Sequence, residues 1–331
     1  MRNRRVLITG AGGFVGRHLV RLLATDPDVT IFGTIHRSRP VADEGVPGSI
    51  TLLQGDLLDQ PFVARSVQEA APTWVVHLAA QSSVAESWRD PAGTLQTNVV
   101  GQANLLEAVL HHAPQARVLI VGSSEEYGRI RPEDLPANED TELRPENPYG
   151  ASKVAQDFLG LQYHLGRGLD VVRARPFPLF GPGQSDHFAT ASFARQIAEA
   201  EAGRREPVLL VGNLAARRDY TDVRDAVLAY RALLERGQAG QVYNVGGGGV
   251  HQIGEILDAL LRRAQRAVEV RVDPARFRPG EAPEVSGDVS RLCRETGWAP
   301  ERRFEQTVQE ILDDWRTRIG GSTLDSARPA P

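Results

Sequence analysis

Short hydrophobic runs alternate with longer amphipathic segments along the first half of the chain. The runs contain four to seven mostly apolar residues, which is typical of buried strands, whereas apolar residues in the intervening segments recur at helical spacing. The predicted strands are 6–9, 29–35, 49–53, 74–80, 118–121 and 171–174, and the predicted helices include 17–23, 59–71, 91–112 and 149–165. Strands that alternate with helices in this way require parallel crossovers. The pattern therefore predicts an α/β protein with a doubly wound parallel sheet.

The texture of the sequence changes after Pro176, where prolines and glycines become frequent and the helical segments become shorter. We expect residues 1–175 to form one domain, with 219–250 returning to it. Residues 176–218 and 251–320 should form a smaller C-terminal α/β domain. The last residues, 321–331, are small, polar and proline-bearing, which predicts a disordered tail.

Composition excludes several classes of function. The 331 residues can bury a large core, and a net charge of -4, well mixed along the chain, argues against nucleic acid or a membrane surface as partner. No apolar run is long enough to span a bilayer. The single cysteine, Cys293, excludes an intrachain disulfide, and the cytoplasm is the expected compartment. No Cys/His cluster suggests a metal.

Three glycines at equal spacing lie between the first strand and the first helix. Gly10, Gly13 and Gly16 permit a tight turn, close approach of the backbone to a pyrophosphate and close packing of helix on strand. The helix N-terminus then offers free N–H groups to the anion. The second strand is followed by Arg37 and Arg39 rather than by an acid. This favours NADP(H) over NAD(H), although two arginines could also simply solvate a loop.

A tyrosine and a lysine lie four residues apart on the predicted helix 149–165. Tyr149 and Lys153 therefore share one helix face. Lys153 is the only lysine among 38 basic residues, which makes its position informative. A neighbouring ammonium should lower the pKa of a phenol, so that the pair can exchange a proton with a carbonyl or alcohol. Ser123, at the end of the fifth strand, could hydrogen-bond the reacting oxygen, although serines end many strands.

Together these residues resemble the extended short-chain dehydrogenase/reductase family over nearly the whole chain, to about residue 318. The resemblance implies a Rossmann sheet, a smaller substrate domain, a homodimer formed through a four-helix bundle near 95–112 and 150–165, and catalysis by Ser123, Tyr149 and Lys153. It also implies the cofactor contacts, which are Gly10, Gly13, Phe14, Val15, Gly16, Arg37, Asp56, Leu57, Leu78, Ala79, Ala80, Asn98, Tyr149, Lys153 and Pro176.

Within the family the sequence is most similar to the GDP-mannose branch. The likeness implies reduction of the C4 ketone of GDP-4-keto-6-deoxy-D-mannose to a GDP-6-deoxyhexose by NADP(H), in deoxysugar biosynthesis. GDP-mannose 4,6-dehydration is the main alternative; epimerisation of another nucleotide sugar and a non-enzymatic nucleotide-sensing scaffold are more distant ones. The implied substrate contacts are Ser82, Ser124, Glu125, Gln184, Asn213, Arg218, Arg278 and Glu281.

Two features bear on that choice. Glu125 matches the position of the dehydratase base, but it can equally be a hydrogen-bond anchor. The run Pro178-Leu179-Phe180 replaces the Asn-His-Ile that reductases of this branch usually carry, and this removes a polar contact expected at the sugar nucleotide.

Overall fold

The computed structural model describes residues 4–36, 50–277 and 282–321. The chain forms two compact units. The first contains Met1–Phe177, Arg224–Val245 and Gly287–Ala299, and the second contains Pro178–Val223, Gly246–Ser286 and Pro300–Pro331. The tail prediction for 321–331 lies outside the described residues, apart from the backbone of Gly321.

The described strands are β1 Arg4–Thr9, β2 Val29–Ile35, β3 Ile50–Gln54, β4 Trp74–His77, β5 Arg117–Val121, β6 Asp170–Pro176, β7 Leu179–Phe180, β8 Val208–Val211, β9 Arg217–Asp219, β10 Thr221–Asp222, β11 Val242–Val245, β12 Val250–Gln252, β13 Glu269–Val272 and β14 Glu284–Val285. The described α-helices are α1 Phe14–Leu23, α2 Gln60–Ala70, α3 Val84–Arg89, α4 Pro91–Leu95, α5 Gly101–His112, α6 Pro148–Arg167, α7 Ala189–Glu201, α8 Val223–Arg236, α9 Ile253–Leu261, α10 Ser290–Thr296 and α11 Phe304–Gly321.

The first unit is built on a seven-stranded parallel sheet of order β11-β6-β5-β4-β1-β2-β3. This confirms the α/β prediction. The strand order reverses beside β1, which places the carboxyl ends of β1 and β4 next to each other at the switch point, where such sheets bind ligands. Apolar residues of one sheet face, such as Leu7 and Val118, pack with Val63 of α2 and Leu106 of α5.

Two sequence-based boundaries change in the structure. The predicted helix 91–112 is α4, a π-helical turn Gln96–Val100 and α5 in succession. Residues 287–299, which were expected in the second domain, belong to the first compact unit. They are held there by backbone and side-chain bonds: Asp288 N–H donates to the Ala137 carbonyl at 2.8 Å, and Trp298 Nε1 donates to the Asp225 carbonyl at 3.0 Å.

The second unit is smaller and its sheets are short. It contains the pairs β10-β7 and β13-β8 and the three-stranded sheet β12-β9-β14. Its core brings together Phe193 of α7, Ile256 of α9 and Leu312 of α11. None of the helices in the described part of the chain is both long and apolar enough to cross a bilayer.

Candidate active site

The glycine turn follows β1 and leads directly into α1. Gly10 has a φ of +72° and lies so close to the end of β4 that a Cβ would be 2.9 Å from the Ala79 nitrogen. A Cβ on Gly16 would be 2.3 Å from the Gly10 carbonyl oxygen. Gly13 is the N-cap of α1 and has no side chain to cover the helix N-terminus. The turn is therefore a cradle of bare backbone that fits a dinucleotide pyrophosphate.

A threonine and a histidine join the ends of β1 and β4. Thr9 Oγ1 lies 2.8 Å from His77 Nδ1, and it also accepts from the Leu78 and Ala79 nitrogens, both at 3.2 Å. Burial, followed by the Lys153 charge, lowers the pKa of His77 to about 3, so that the imidazole stays neutral. This bonding fixes the Leu78–Ala79 backbone beside the glycine turn.

The other residues implied for the cofactor fall into two groups. Phe14 and Val15 open α1, Asp56 and Leu57 follow β3, Ala80 follows Ala79, and Pro176 ends β6. Asn98 is different, because it is fully buried and already bonded within the protein. Its Oδ1 accepts from the Gln81 nitrogen at 2.8 Å, and its Nδ2 donates to Ser152 Oγ at 2.8 Å. Asn98 thus anchors the loop after β4 to α6. Arg37 and Arg39 lie outside the described residues.

Helix α6 carries the predicted tyrosine and lysine. It begins after Asn147, whose side chain accepts from the Gly150 nitrogen at 2.8 Å, with Pro148 at its first position, and it ends before Gly168 at φ +73°. The buried face of the helix is largely polar and includes Tyr149 and Lys153.

The structure brings Ser123, Tyr149 and Lys153 together at the end of β5. Lys153 Nζ lies 5.9 Å from the centre of the Tyr149 ring and donates to the Val121 carbonyl at 2.9 Å. Ser123 acts on the Tyr149 side chain in the direction that lowers the pKa of the phenol. Each of the three residues is less than a tenth exposed. This geometry supports proton transfer between a buried phenol and an oxygen held by Ser123.

The electrostatics correct one expectation from the sequence. The pKa of Tyr149 lies above its ordinary value, because burial outweighs the hydrogen bond from Ser123. Burial also lowers the pKa of Lys153 from 10.5 to about 8. The prediction that Lys153 depresses the tyrosine pKa is therefore wrong for this structure. Tyr149 is a protonated phenol, which is the form that can donate a proton.

The turn after Ser123 contributes three polar side chains of different character. Ser124 is buried at the start of a 3₁₀ turn, Ser124–Glu126. Glu125 is half-buried, and its Oε2 accepts from Asn147 Nδ2 at 2.8 Å, so this carboxylate braces the N-terminus of α6. Glu126 is fully buried. Ser82, in the loop after β4, is exposed.

The substrate contacts expected in the second unit are only partly described. Gln184 is buried and bonded at both ends, since its Nε2 donates to the Leu179 carbonyl at 2.7 Å and its Oε1 accepts from Thr190 Oγ1 at 3.0 Å. Asn213 Oδ1 accepts from the Ala215 nitrogen at 3.0 Å, and Arg218 Nη1 donates to the Ala282 carbonyl at 2.9 Å. Arg278 and Glu281 lie outside the described residues.

Sequence reasoning missed two features that the structure places beside the site. One is the Thr9–His77 bond. Thr9 ends the first strand and His77 ends the fourth, and the sequence could have predicted their contact only if these two strands had been known to be neighbours. The other is Glu126, which is fully buried, whereas its neighbour Glu125 is only half-buried. A glutamate three residues after a serine is a capping-box pattern, which could have drawn attention to it.

Comparison with known proteins adds to this picture. The family model for GDP-mannose 4,6 dehydratase matches residues 7–311. The chain is 39% identical to the GDP-6-deoxy-D-mannose reductase of Pseudomonas aeruginosa, over 96% of this chain and 98% of the relative. It is 32% identical to a dTDP-glucose 4,6-dehydratase of Xanthomonas campestris, over 94% and 93% of the two chains.

Solved structures resemble the whole chain equally well. The structure of RMD from Pseudomonas aeruginosa complexed with NADPH superimposes with a TM-score of 0.83 at 38% identity, covering 95% of this chain and 99% of that one. A Thermus thermophilus UDP-glucose 4-epimerase in complex with NAD gives a TM-score of 0.82 at 30% identity, over 96% and 99% of the two chains. The fold therefore serves reduction, dehydration and epimerisation in its relatives.

Proposed function

This chain belongs to the GDP-mannose 4,6-dehydratase family, and from that premise we propose that it is an NADP(H)-dependent reductase of GDP-4-keto-6-deoxy-D-mannose. The product is a GDP-6-deoxyhexose of the GDP-D-rhamnose type. The observation that carries the proposal is the buried group of Ser123, Tyr149 and Lys153 at the end of β5. The likeness to the Pseudomonas aeruginosa reductase over nearly the full length of both chains supports the choice of substrate.

The chemistry follows from the protonation states of these side chains. When bound, NADPH supplies the hydride for C4 of the keto sugar, and the glycine cradle of Gly10, Gly13 and Gly16 is where its pyrophosphate fits. Ser123 Oγ holds the C4 oxygen by a hydrogen bond. Tyr149 Oη gives this oxygen its proton, which leaves a C4 hydroxyl. Lys153, whose pKa is about 8, remains largely protonated at neutral pH and stabilises the phenolate that the transfer leaves behind.

A protonated Tyr149 is the form that the reduction step requires. A reductase needs a tyrosine that donates a proton, whereas a dehydratase must first remove one from the C4 hydroxyl. Glu125, which could serve as the additional base of a dehydratase, is held by Asn147. In our proposal it is a structural brace for α6, and it takes no proton from the sugar.

The test is a spectrophotometric assay with two possible substrates. Wild-type protein mixed with NADPH and GDP-4-keto-6-deoxy-D-mannose should consume NADPH in proportion to the sugar reduced. Tyr149→Phe should lower kcat by about 10³-fold or more and leave NADPH affinity within about twofold, because it removes the hydroxyl that donates the proton and keeps the aromatic ring. Unchanged NADPH absorbance, together with loss of water from GDP-mannose, would instead identify a dehydratase.

We also propose that the enzyme is a homodimer formed through helices α5 and α6. The outward face of α6 is apolar although it is exposed: Phe158 is 53% and Leu165 75% accessible. Val100, the last residue before α5, is 47% accessible. A helix with a polar buried face and an apolar outer face is suited to a second copy of the chain, which would cover these side chains.

The two compact units receive separate roles in this proposal. The first, with the glycine turn, is the NADP-binding domain, and the second, with Asn213 and Arg218, supplies contacts to the GDP-sugar. We place the enzyme in the cytoplasm, where a chain with one cysteine and no intrachain disulfide is at no disadvantage.

A further inference from the structure

Glu126 is a buried acid that the mechanism above does not use. It ends the 3₁₀ turn that follows Ser123, and its side chain is fully buried. Its Oε1 accepts from the Ser123 backbone nitrogen at 2.8 Å, while the Ser123 hydroxyl accepts from the Glu125 nitrogen at 3.2 Å. The carboxyl group of Glu126 therefore fixes the backbone from which the Ser123 hydroxyl projects.

The end of β5 provides space for this carboxyl group. A Cβ on Gly122 would lie 2.1 Å from Glu126 Oε1, a distance no side chain tolerates. The absence of a side chain at residue 122 is thus what allows Glu126 to turn back under Ser123.

The other oxygen of Glu126 faces a second acid. Glu126 Oε2 lies 3.0 Å from Arg175 Nε, but that N–H donates to Asp157 Oδ2 at 2.7 Å. As an acceptor, Glu126 Oε2 has no hydrogen-bond partner. The Glu126 and Asp157 oxygens therefore meet at the same Arg175 N–H, which donates to Asp157, and a proton on one of the two carboxyl groups would let the acids hydrogen-bond to each other.

The surroundings decide which carboxyl group holds the proton. Asp157 receives the guanidinium groups of both Arg173 and Arg175, which stabilise it as a carboxylate. Burial and the nearby Asp157 charge raise the pKa of Glu126 well above its ordinary value. Protonation of Glu126 also explains why Oε2 accepts no hydrogen bond, because a protonated Oε2 acts as a donor and needs no donor of its own.

We propose that Glu126 is a positioning residue, a neutral carboxylic acid that joins the Ser123 turn to Asp157 on α6. This inference rests on the proposed reductase function. Asp157 lies one helical turn after Lys153, so Glu126 connects the strand end that carries Ser123 with the helix that carries Tyr149 and Lys153. It sets where the Ser123 hydroxyl stands relative to the Tyr149 phenol.

Two substitutions at this position test the idea. Glutamine reproduces both bonds of a neutral acid, because its oxygen can accept from Ser123 and its amide can donate to Asp157, whereas leucine reproduces neither. Glu126→Leu should lower kcat by about 10- to 100-fold, the usual consequence of a small misplacement at a reacting centre, with NADPH affinity within about twofold of wild type. Glu126→Gln should recover most of the lost kcat.

Glu139 offers a matched control in the same unit. It is also a buried glutamate that accepts from a backbone nitrogen, that of Asn244 at 2.9 Å, but it does not contact Ser123. Glu139→Leu should lower the Tm as Glu126→Leu does, while kcat stays near wild type. A wild-type kcat in Glu126→Leu, or a Glu126→Gln as impaired as Glu126→Leu, would overturn the proposal.

A second measurement does not depend on turnover and therefore separates this inference from the proposed function. The charged and titratable groups facing Glu126 are Arg175 on β6, Tyr149, Lys153 and Asp157 on α6, and the adjoining Tyr127. All are unchanged in Glu126→Gln.

The sign of the expected pH effect follows from linkage. A group whose pKa is raised on folding contributes stability that is complete below its unfolded value of 4.5 and is lost as pH rises toward its folded value. The Tm of Glu126→Gln relative to wild type should therefore rise as the pH is raised above about 5. A relative Tm that does not change with pH above about 5 would mean that Glu126 is already ionised in the folded protein, and the proposal would fail even for an inactive wild type.

Discussion

Replacing Lys153, the lysine of the proposed catalytic group, should make this protein more stable while it removes activity. Lys153 is buried, and its pKa falls from 10.5 to about 8 because burial disfavours the ammonium. At about 1.36 kcal/mol per pKa unit, keeping Lys153 charged inside the protein costs about 3 kcal/mol of folding free energy. Lys153→Met retains the length of the side chain and removes this cost.

Part of that gain is offset by a lost hydrogen bond. Lys153 Nζ donates to the Val121 carbonyl at 2.9 Å, and leaving a buried carbonyl without its donor costs about 1 to 3 kcal/mol. We therefore expect the unfolding free energy of Lys153→Met to exceed that of wild type by up to about 2 kcal/mol near pH 7.

The pH dependence gives a sharper test, because the lost hydrogen bond contributes equally at every pH. A lysine whose folded pKa is lowered binds fewer protons than in the unfolded chain between about pH 8 and 10.5, so wild type gains stability as pH rises through this range. Relative to Lys153→Met, wild type should gain about 2 kcal/mol between about pH 7 and pH 10.

The assay is urea unfolding of both proteins at the two pH values, with NADPH turnover measured in parallel. Only the difference between the proteins is interpreted, since other titrating groups affect both alike. A difference that does not change with pH would refute the assignment of the desolvation cost to Lys153. A variant less stable than wild type by more than about 1 kcal/mol near pH 7 would show that the hydrogen bond matters more than the buried charge.

Three other substitutions test the remaining parts of the structure. Gly16→Ala places a Cβ 2.3 Å from the Gly10 carbonyl oxygen and should weaken NADPH binding by about 100-fold in a fluorescence titration, whereas Gly320→Ala, whose Cβ meets nothing within 4 Å, should bind normally. The pKa of His77 is lowered from 6.5 to about 3, so the protein loses unfolding free energy as the pH falls below 6.5. His77→Gln should lose about 2 kcal/mol less unfolding free energy than wild type between about pH 6.5 and 4.5. Equal losses in the two proteins would contradict this. Leu165→Asp should reduce the molar mass measured by light scattering from that of the proposed dimer to that of a monomer. Because Leu165 is 75% exposed in the single chain, this substitution should not cause misfolding. An unchanged molar mass would show that Leu165 does not lie in the dimer interface.

Local sequence determined much of what positions this site. The alternation of short apolar runs with helical segments gave the parallel sheet, because strand and helix periodicity are properties of neighbouring residues. The spacing of Gly10, Gly13 and Gly16 predicted the cradle, and the spacing of Tyr149 and Lys153 placed both on one face of α6. These features depend on separations of three or four residues, and tertiary contacts did not alter them.

Only the tertiary structure decided the burial, the hydrogen-bond partners and the protonation of the acidic, phenolic and amide side chains. Glu125 and Glu126 are adjacent and alike in sequence, yet one is half-buried against Asn147 and the other fully buried beside Asp157. Gln184, which was expected to contact the substrate, uses both polar side-chain atoms in hydrogen bonds to Leu179 and Thr190. Burial depends on residues far apart in the chain, and burial raises the pKa of Tyr149 although its spacing to Lys153 predicts a lowered pKa.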